Sequence, residues 1–176
     1  MKFIRLNQRF ILFAGLTISM SVFFFLKIPL IDDALIIQRY INNFLNGSGL
    51  YYNVGEPYFG YTAIFPTWIN TAVAYFFDVD MHILRFIIPS ISLIFIMDCL
   101  YKYVFEQRLL PTLIVALNPI FVFYLFSGLE SYFIIVFIFI FVLLIIAQNW
   151  QLLLLCTPLA PFFRPELIIF SLPLFI

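Results

Sequence analysis

The sequence predicts an all-α fold, a polytopic transmembrane helical bundle with interfacial helices in its first outer loop. Composition is the first reason. Of 176 residues, 65% are hydrophobic, 10% are charged and 25 are phenylalanine, and the mean hydropathy is +1.11. Soluble domains are about a quarter charged, and one of this size cannot hide so much apolar surface, so the excess must face lipid. The second reason is segmentation: apolar residues gather at about 10–30, 62–77, 83–103, 109–126, 132–147, 152–163 and 167–176, with a polar, turn-rich stretch at 31–61. Nine basic and nine acidic residues cancel, which gives no electrostatic support to a nucleic-acid or polyanion partner.

The first segment follows Lys2, Arg5 and Arg9 and runs from Phe10 to about Leu26. It resembles a signal peptide, but no small-residue cleavage site ends it and long apolar segments follow, so it reads as an uncleaved span. The positive-inside rule then puts the N-terminus in the cytoplasm and residues 31–61 outside, with Lys27 snorkelling to the interface. Within that loop, residues 34–46 set Ile37, Ile41, Phe44 and Leu45 on one helical face against Gln38, Arg39, Asn42 and Asn43, the pattern of an amphipathic helix on a membrane surface. Gly47-Ser48-Gly49 ends it. Turns follow at Asn53-Val54-Gly55-Glu56-Pro57 and Phe59-Gly60-Tyr61-Thr62.

If 62–77 crossed the membrane, Lys102 and Arg108 would lie outside and Asp78, Asp80 and Glu130 inside, against the charge bias. Its roughly 16 residues, with Pro66, Trp68 and Asn70, reach only about 24 Å and suit an interfacial helix. Then 83–103 crosses inward, 109–126 returns outward, 132–147 goes in, and 152–163 brings Arg164-Pro165-Glu166 to the outer side. Most acids therefore collect outside. Cys99 and Cys156 fall in apolar runs and read as buried thiols, without metal-site spacing. The chain ends inside an apolar stretch, Leu172-Pro173-Leu174-Phe175-Ile176. The expectation is a single module over 1–176, its first outer loop at about 31–82, truncated at the C-terminus.

Asp32 and Asp33 open the surface helix. One of them is expected to cap it; the second suits a general base or an oxygen ligand to a divalent cation. Glu130 lies between two apolar segments, as a water-contacting loop residue or a functional acid. Arg164 and Glu166 flank Pro165, either as a local ion pair or with Arg164 holding a phosphate, a role open also to Arg39 and Arg85. Asp98 is expected to pair with Lys102 at i, i+4. His82, beside Asp78 and Asp80, reads as a loop residue.

Asp32-Asp33-Ala34-Leu35-Ile36-Ile37-Gln38-Arg39-Tyr40, then Asn43, Gly47 to Glu56, and Gly60-Tyr61-Thr62 with Trp68, resemble the first outer loop of bacterial glycosyltransferase-C proteins. Terminal arabinofuranosyltransferases and similar cell-envelope transferases are the nearest in pattern. Leu117-Asn118-Pro119, Ser127-Gly128-Leu129-Glu130-Ser131 and Arg164-Pro165-Glu166 resemble later motifs of the same family, in the same order. The chain departs from it at Phe59, where many relatives carry an acid, and in being much shorter.

The resemblance implies a bacterial inner-membrane enzyme with its active site on the outer face. A polyprenyl-phosphate-linked sugar would be the donor, within the membrane lipid, and a glycan or other hydroxyl the acceptor. It assigns Asp32 and Asp33 as catalytic. Arg39, Glu56, Tyr61, Glu130, Arg164 and Glu166 are expected to bind substrate; no cofactor is implied, and a divalent cation is the one an acidic pair could hold. A transporter or flippase, or a non-catalytic membrane protein, remains the alternative from the residues themselves.

Overall fold

A computed structural model describes residues 2–22, 29–56, 58, 60–79, 81–128 and 130–170. Lys27, Phe59, Asp80, the side chain of His82 and the last six positions of the 167–176 segment lie outside the described residues. Every regular element among the described residues is helical, which bears out the all-α class.

Helix α1 (Lys2–Ser21) packs along α4 (Met81–Cys99), whose end winds into a π turn, Leu100–Val104. Within this unit Ile83–Val104 is the one described helix long and apolar enough to cross a membrane, at 22 residues, or about 33 Å against a hydrocarbon core of about 30 Å. Gly15 lets the two helices approach: a Cβ there would meet Ile94 Cγ1 at 2.9 Å and Met97 Sδ at 3.4 Å. Ile11, Leu93, Ile96, Met97, Leu125 and Tyr132 close the main core around this contact.

The 109–126 segment, expected to return outward, is broken into two helices. Helices α5 (Leu109–Ala116) and α6 (Pro119–Ser127) meet at a 55° bend. The cause is local: Pro119 keeps Asn118 out of the α region (φ −60°, ψ 120°). The Asn118 side chain then caps the new helix, accepting from the Ile120 and Phe121 amides at 3.0 and 3.1 Å. Helix α7 (Ser131–Ile146) has 16 residues, about 24 Å, and the 152–163 segment is divided into α8 (Trp150–Cys156), a 3₁₀ turn (Thr157–Leu159) and α9 (Ala160–Phe163). Pro158 and Pro161 open the last two pieces.

Helix α2 (Asp32–Leu45) begins two positions before the amphipathic pattern. Its apolar stripe is covered by protein: Ala34, Ile37 and Ile41 bury against Ala63, Ala74 and Leu84, from the neighbourhood of α3 (Ile64–Phe77) and the start of α4. Only Leu35 and Leu45 are left well exposed on it among its apolar residues, so the stripe serves tertiary packing where lipid contact was expected. As expected, the helix ends at glycine, with Gly47 at φ +77°. Helix α3 is built the opposite way. Its buried face holds Thr67, Asn70 and Thr71, while Trp68, Tyr75, Phe76 and Phe77 point outward and are exposed. The two threonines return their hydroxyls to the backbone, each at 2.7 Å, on Ala63 O and Thr67 O, and the Tyr132 hydroxyl donates to Asn70.

Leu84 fixes the start of α4 against α2. The Asp98–Lys102 pair, present as expected, sits about 21–27 Å farther along that helix at 1.5 Å per residue. Asp32 and Asp33 therefore lie at one end of the α4 span, and Lys102 and Arg108 at the other.

Candidate functional site: three carboxylates around Arg164

Arg164 owes its position to Pro165. The residue before proline is held out of the α region, and Arg164 is extended (φ −162°, ψ 136°), ending α9 and turning its side chain away from the helix axis. Its backbone is anchored on both sides, the amide donating to Ala160 O at 3.2 Å and the carbonyl accepting from the Leu167 amide at 3.0 Å.

From there the guanidinium reaches three carboxylates. Nη2 lies 3.4 Å from Asp33 Oδ2, Nη1 3.7 Å from Glu130 Oε1, and Nε 3.5 Å from Glu166 Oε2. The local Arg164–Glu166 pair is thus present, but it is one arm of three. These are long contacts around one charge, so the acids outnumber the cation they share.

The α6–α7 turn and the start of α2 are joined directly, the Ile31 amide donating to Ser127 O at 3.0 Å. Gly128 makes room here: a Cβ would stand 2.5 Å from Ser131 Oγ. This junction carries Glu130 beside Asp33. The Glu130 side chain is only 6% exposed, which disagrees with the water-contacting loop residue, one of its two readings from the sequence. Burial pushes its carboxyl above the ordinary range; Arg164 opposes the shift, and Asp33 and Glu166 add to it. Ser127, not singled out from the sequence as a site residue, has its hydroxyl buried with no hydrogen-bond partner among the described residues.

Neither acid of the pair caps α2. The N-cap is Ile31, with no side-chain cap bond, and Asp32 and Asp33 occupy the first helical turn. The capping expectation is therefore corrected, and both carboxylates stay available in the positive field of the helix start. Asp33 has 56% of its side chain exposed, and Asp32 is exposed and makes no ion pair among the described residues. No group of three or more His, Cys, Asp or Glu side chains suited to a metal ion is found among the described residues. The carboxylates that do converge enclose a guanidinium.

Arg39, Glu56 and Tyr61 belong to a second group, in the loop after α2. Arg39 Nε donates to Tyr52 O at 2.9 Å and Nη2 to Asn53 Oδ1 at 3.2 Å, with its guanidinium 4.5 Å from the Tyr52 ring centroid. Asn53 Nδ2 donates to Glu56 Oε2 at 3.0 Å. Tyr61 packs edge-on against Tyr40 at 4.8 Å, and partial burial raises its phenol above the usual value. The Tyr40 hydroxyl, buried under the loop, accepts from the Gly60 amide at 2.7 Å and donates to Tyr58 O at 3.2 Å. Arg85 lies at the start of α4, outside the ion pairs of the Arg164 group.

The two groups share one helix. Asp33, Ile36 and Tyr40 follow one another along a face of α2, Tyr40 about 10 Å beyond Asp33. Tyr40 and Tyr52 were not anticipated as site residues. Tyr40 falls on the apolar stripe of α2, three positions after Ile37, so its ring was legible as core and its hydroxyl role was not.

Compared with protein-family models, with curated proteins and with solved structures, the chain matches none.

Proposed function

We propose that this protein is an integral membrane glycosyltransferase that moves a sugar from a polyprenyl-phosphate donor to a hydroxyl acceptor. In this reading it sits in the bacterial inner membrane as a polytopic bundle, its N-terminus cytoplasmic and its site on the outer face. The observation that carries the reading is the convergence of Asp33, Glu130 and Glu166 on Arg164, from stretches of chain far apart in sequence. The resemblance to glycosyltransferase-C motifs adds the substrate class. The outward aromatic face of α3 and the 22-residue apolar span support a lipid surrounding.

The chemistry needs a base for the acceptor and a cation for the leaving group. The acceptor oxygen attacks the anomeric carbon as its proton passes to Asp33, with Asp32 holding the same hydroxyl. The bond from the anomeric carbon to the phosphate oxygen breaks, and its electron pair leaves with the polyprenyl phosphate. Arg164 takes up that charge, since a guanidinium pairs with phosphate oxygens without losing its proton. A single displacement of this kind inverts the anomeric centre. Glu130, held toward its neutral form by burial, lessens the competition for Arg164 and lets a phosphate in.

The test is transfer itself, with the full chain in proteoliposomes and a panel of radiolabelled polyprenyl-phosphate sugars. The expected result is release of polyprenyl phosphate coupled to a new glycosidic bond, lost in Asp33→Asn while membrane insertion is kept. A transporter or flippase would move the lipid-linked sugar across the bilayer with no new bond. Undiminished transfer by Asp33→Asn would remove Asp33 from the mechanism.

A further inference from the structure

We infer that the pocket between α2 and the loop that follows it is a binding subsite for a neutral sugar ring, and, resting on the transferase reading, that it holds the acceptor saccharide. The cavity measures about 320 Å³ and is lined by Ile36, Tyr40, Tyr52, Asn53, Glu56 and Tyr58, with Gly60 at its edge. That is near the lower end of small-ligand pockets, room for one ring and its substituents.

Its walls are aromatic and already fixed. Tyr52 is clamped between the Arg39 guanidinium, 4.5 Å from its centroid, and the Tyr40 ring at 5.8 Å. The backbone carrying it is tied down as well, Asn43 Nδ2 donating to Tyr51 O at 2.7 Å and Tyr52 O at 3.0 Å. Tyr58 stands at the rim with 75% of its surface exposed, while its carbonyl is held by the Tyr40 hydroxyl. Its ring is thus open to a ligand, on a backbone carbonyl bonded to Tyr40. Rigid aromatic faces of this kind give contact area at low entropic cost.

The polar groups select the ligand's charge. Asn53 bridges Arg39 and Glu56, accepting from one and donating to the other, so the positive and negative groups offset each other across one amide. Glu56 is the one charged residue lining the cavity, and it repels an anion; Arg39 stands against the Tyr52 ring outside the lining. A neutral polyhydroxyl ligand avoids that repulsion and can donate to the carboxylate. Asn53 engages only one oxygen of Glu56, and the other makes no hydrogen bond among the described residues, so it can accept from a ligand hydroxyl. A sugar ring has both required faces, C–H bonds for the tyrosines and hydroxyl edges for Glu56. Because the pocket lies along the same face of α2 as Asp33, about 10 Å away, a short saccharide seated here presents its growing end to that carboxylate.

The experiment is saturation-transfer NMR on the full chain in detergent micelles, using methyl glycosides of hexoses, N-acetylhexosamines and pentoses. At least one is expected to bind with its ring protons saturated. Tyr58→Ala is expected to weaken that binding tenfold or more and Tyr58→Phe to keep it, because the exposed ring and not the hydroxyl is used. Glu56→Gln is expected to weaken it less. In the transfer assay Tyr58→Ala should raise the acceptor KM with donor KM unchanged. Absence of binding by every glycoside, or equal binding by native chain and Tyr58→Ala, overturns the subsite. Glycoside binding that depends on Tyr58 in a chain showing no transfer overturns the transferase reading and leaves the subsite standing.

Discussion

Arg164 Nη2 lies 3.4 Å from Asp33 Oδ2, across 131 positions of sequence. The contact joins the exit of α9 to the first turn of α2, and Glu130 and Glu166 complete it. Arg164→Ala removes the only cation in the group, and donor turnover is expected to fall on the order of a hundredfold or more, the scale of losing one charge-stabilising group. Arg164→Lys keeps the charge and loses the fork that reaches several oxygens, so an intermediate loss is expected. Steady-state kcat/KM for the polyprenyl-phosphate donor measures both.

Glu130 gives the site a pH dependence whose sign follows from its burial. Burial makes its folded carboxyl titrate above the ordinary carboxylate value, despite Arg164, with Asp33 and Glu166 adding to the shift. Between the two values the folded chain holds a proton that the unfolded chain does not. Its contribution to stability is therefore full below the ordinary carboxylate range and lost as pH rises through the folded value. The same proton frees part of Arg164. Polyprenyl-phosphate binding should tighten as pH falls through that window, and Glu130→Gln should flatten this part of the profile. The phosphate's own ionisation affects native and variant alike, so their difference isolates Glu130.

Tyr132 is fully buried and its hydroxyl donates to Asn70 Oδ1 at 2.5 Å, tying α7 to the polar face of α3. Tyr132→Phe leaves that acceptor without this donor, at a cost of about 1–3 kcal/mol. A lower midpoint in reversible unfolding of the detergent-solubilised chain is expected, with transfer kinetics at lower temperature little changed. An unaltered midpoint would show that the pair adds no net stability.

The ends of the α4 span carry opposite features, the acidic pair near one and Lys102 with Arg108 near the other. In a Cys99→Ser, Cys156→Ser background, a cysteine at Thr62 should react with an impermeant maleimide from outside the cell. One at Gln107 should react only after the membrane is permeabilised. Both positions are exposed on the protein. Labelling of the two from the same side would overturn the proposed topology.

Several features follow from local sequence alone because their causes are local. Apolar composition, the helix after Asp32, its stop at Gly47 and the Asp98–Lys102 and Arg164–Glu166 pairs each depend on neighbours within a few positions. The break at Asn118 was also within reach, since Pro119 imposes it; the length of the apolar run masked that signal. Three results required the tertiary structure. The α2 stripe fits a lipid surface or a protein face equally well, and only the packing of Ala63, Ala74 and Leu84 decides between them. Glu130 reads as a loop residue or a functional acid until the fold buries it beside Asp33 and Arg164. Arg164 reads as half of a local pair until the fold brings α2 and the α6–α7 turn within its reach. Charge attraction over a few ångströms is strong enough to organise a site, but the sequence records only which charges exist. Their meeting depends on where the apolar helices pack.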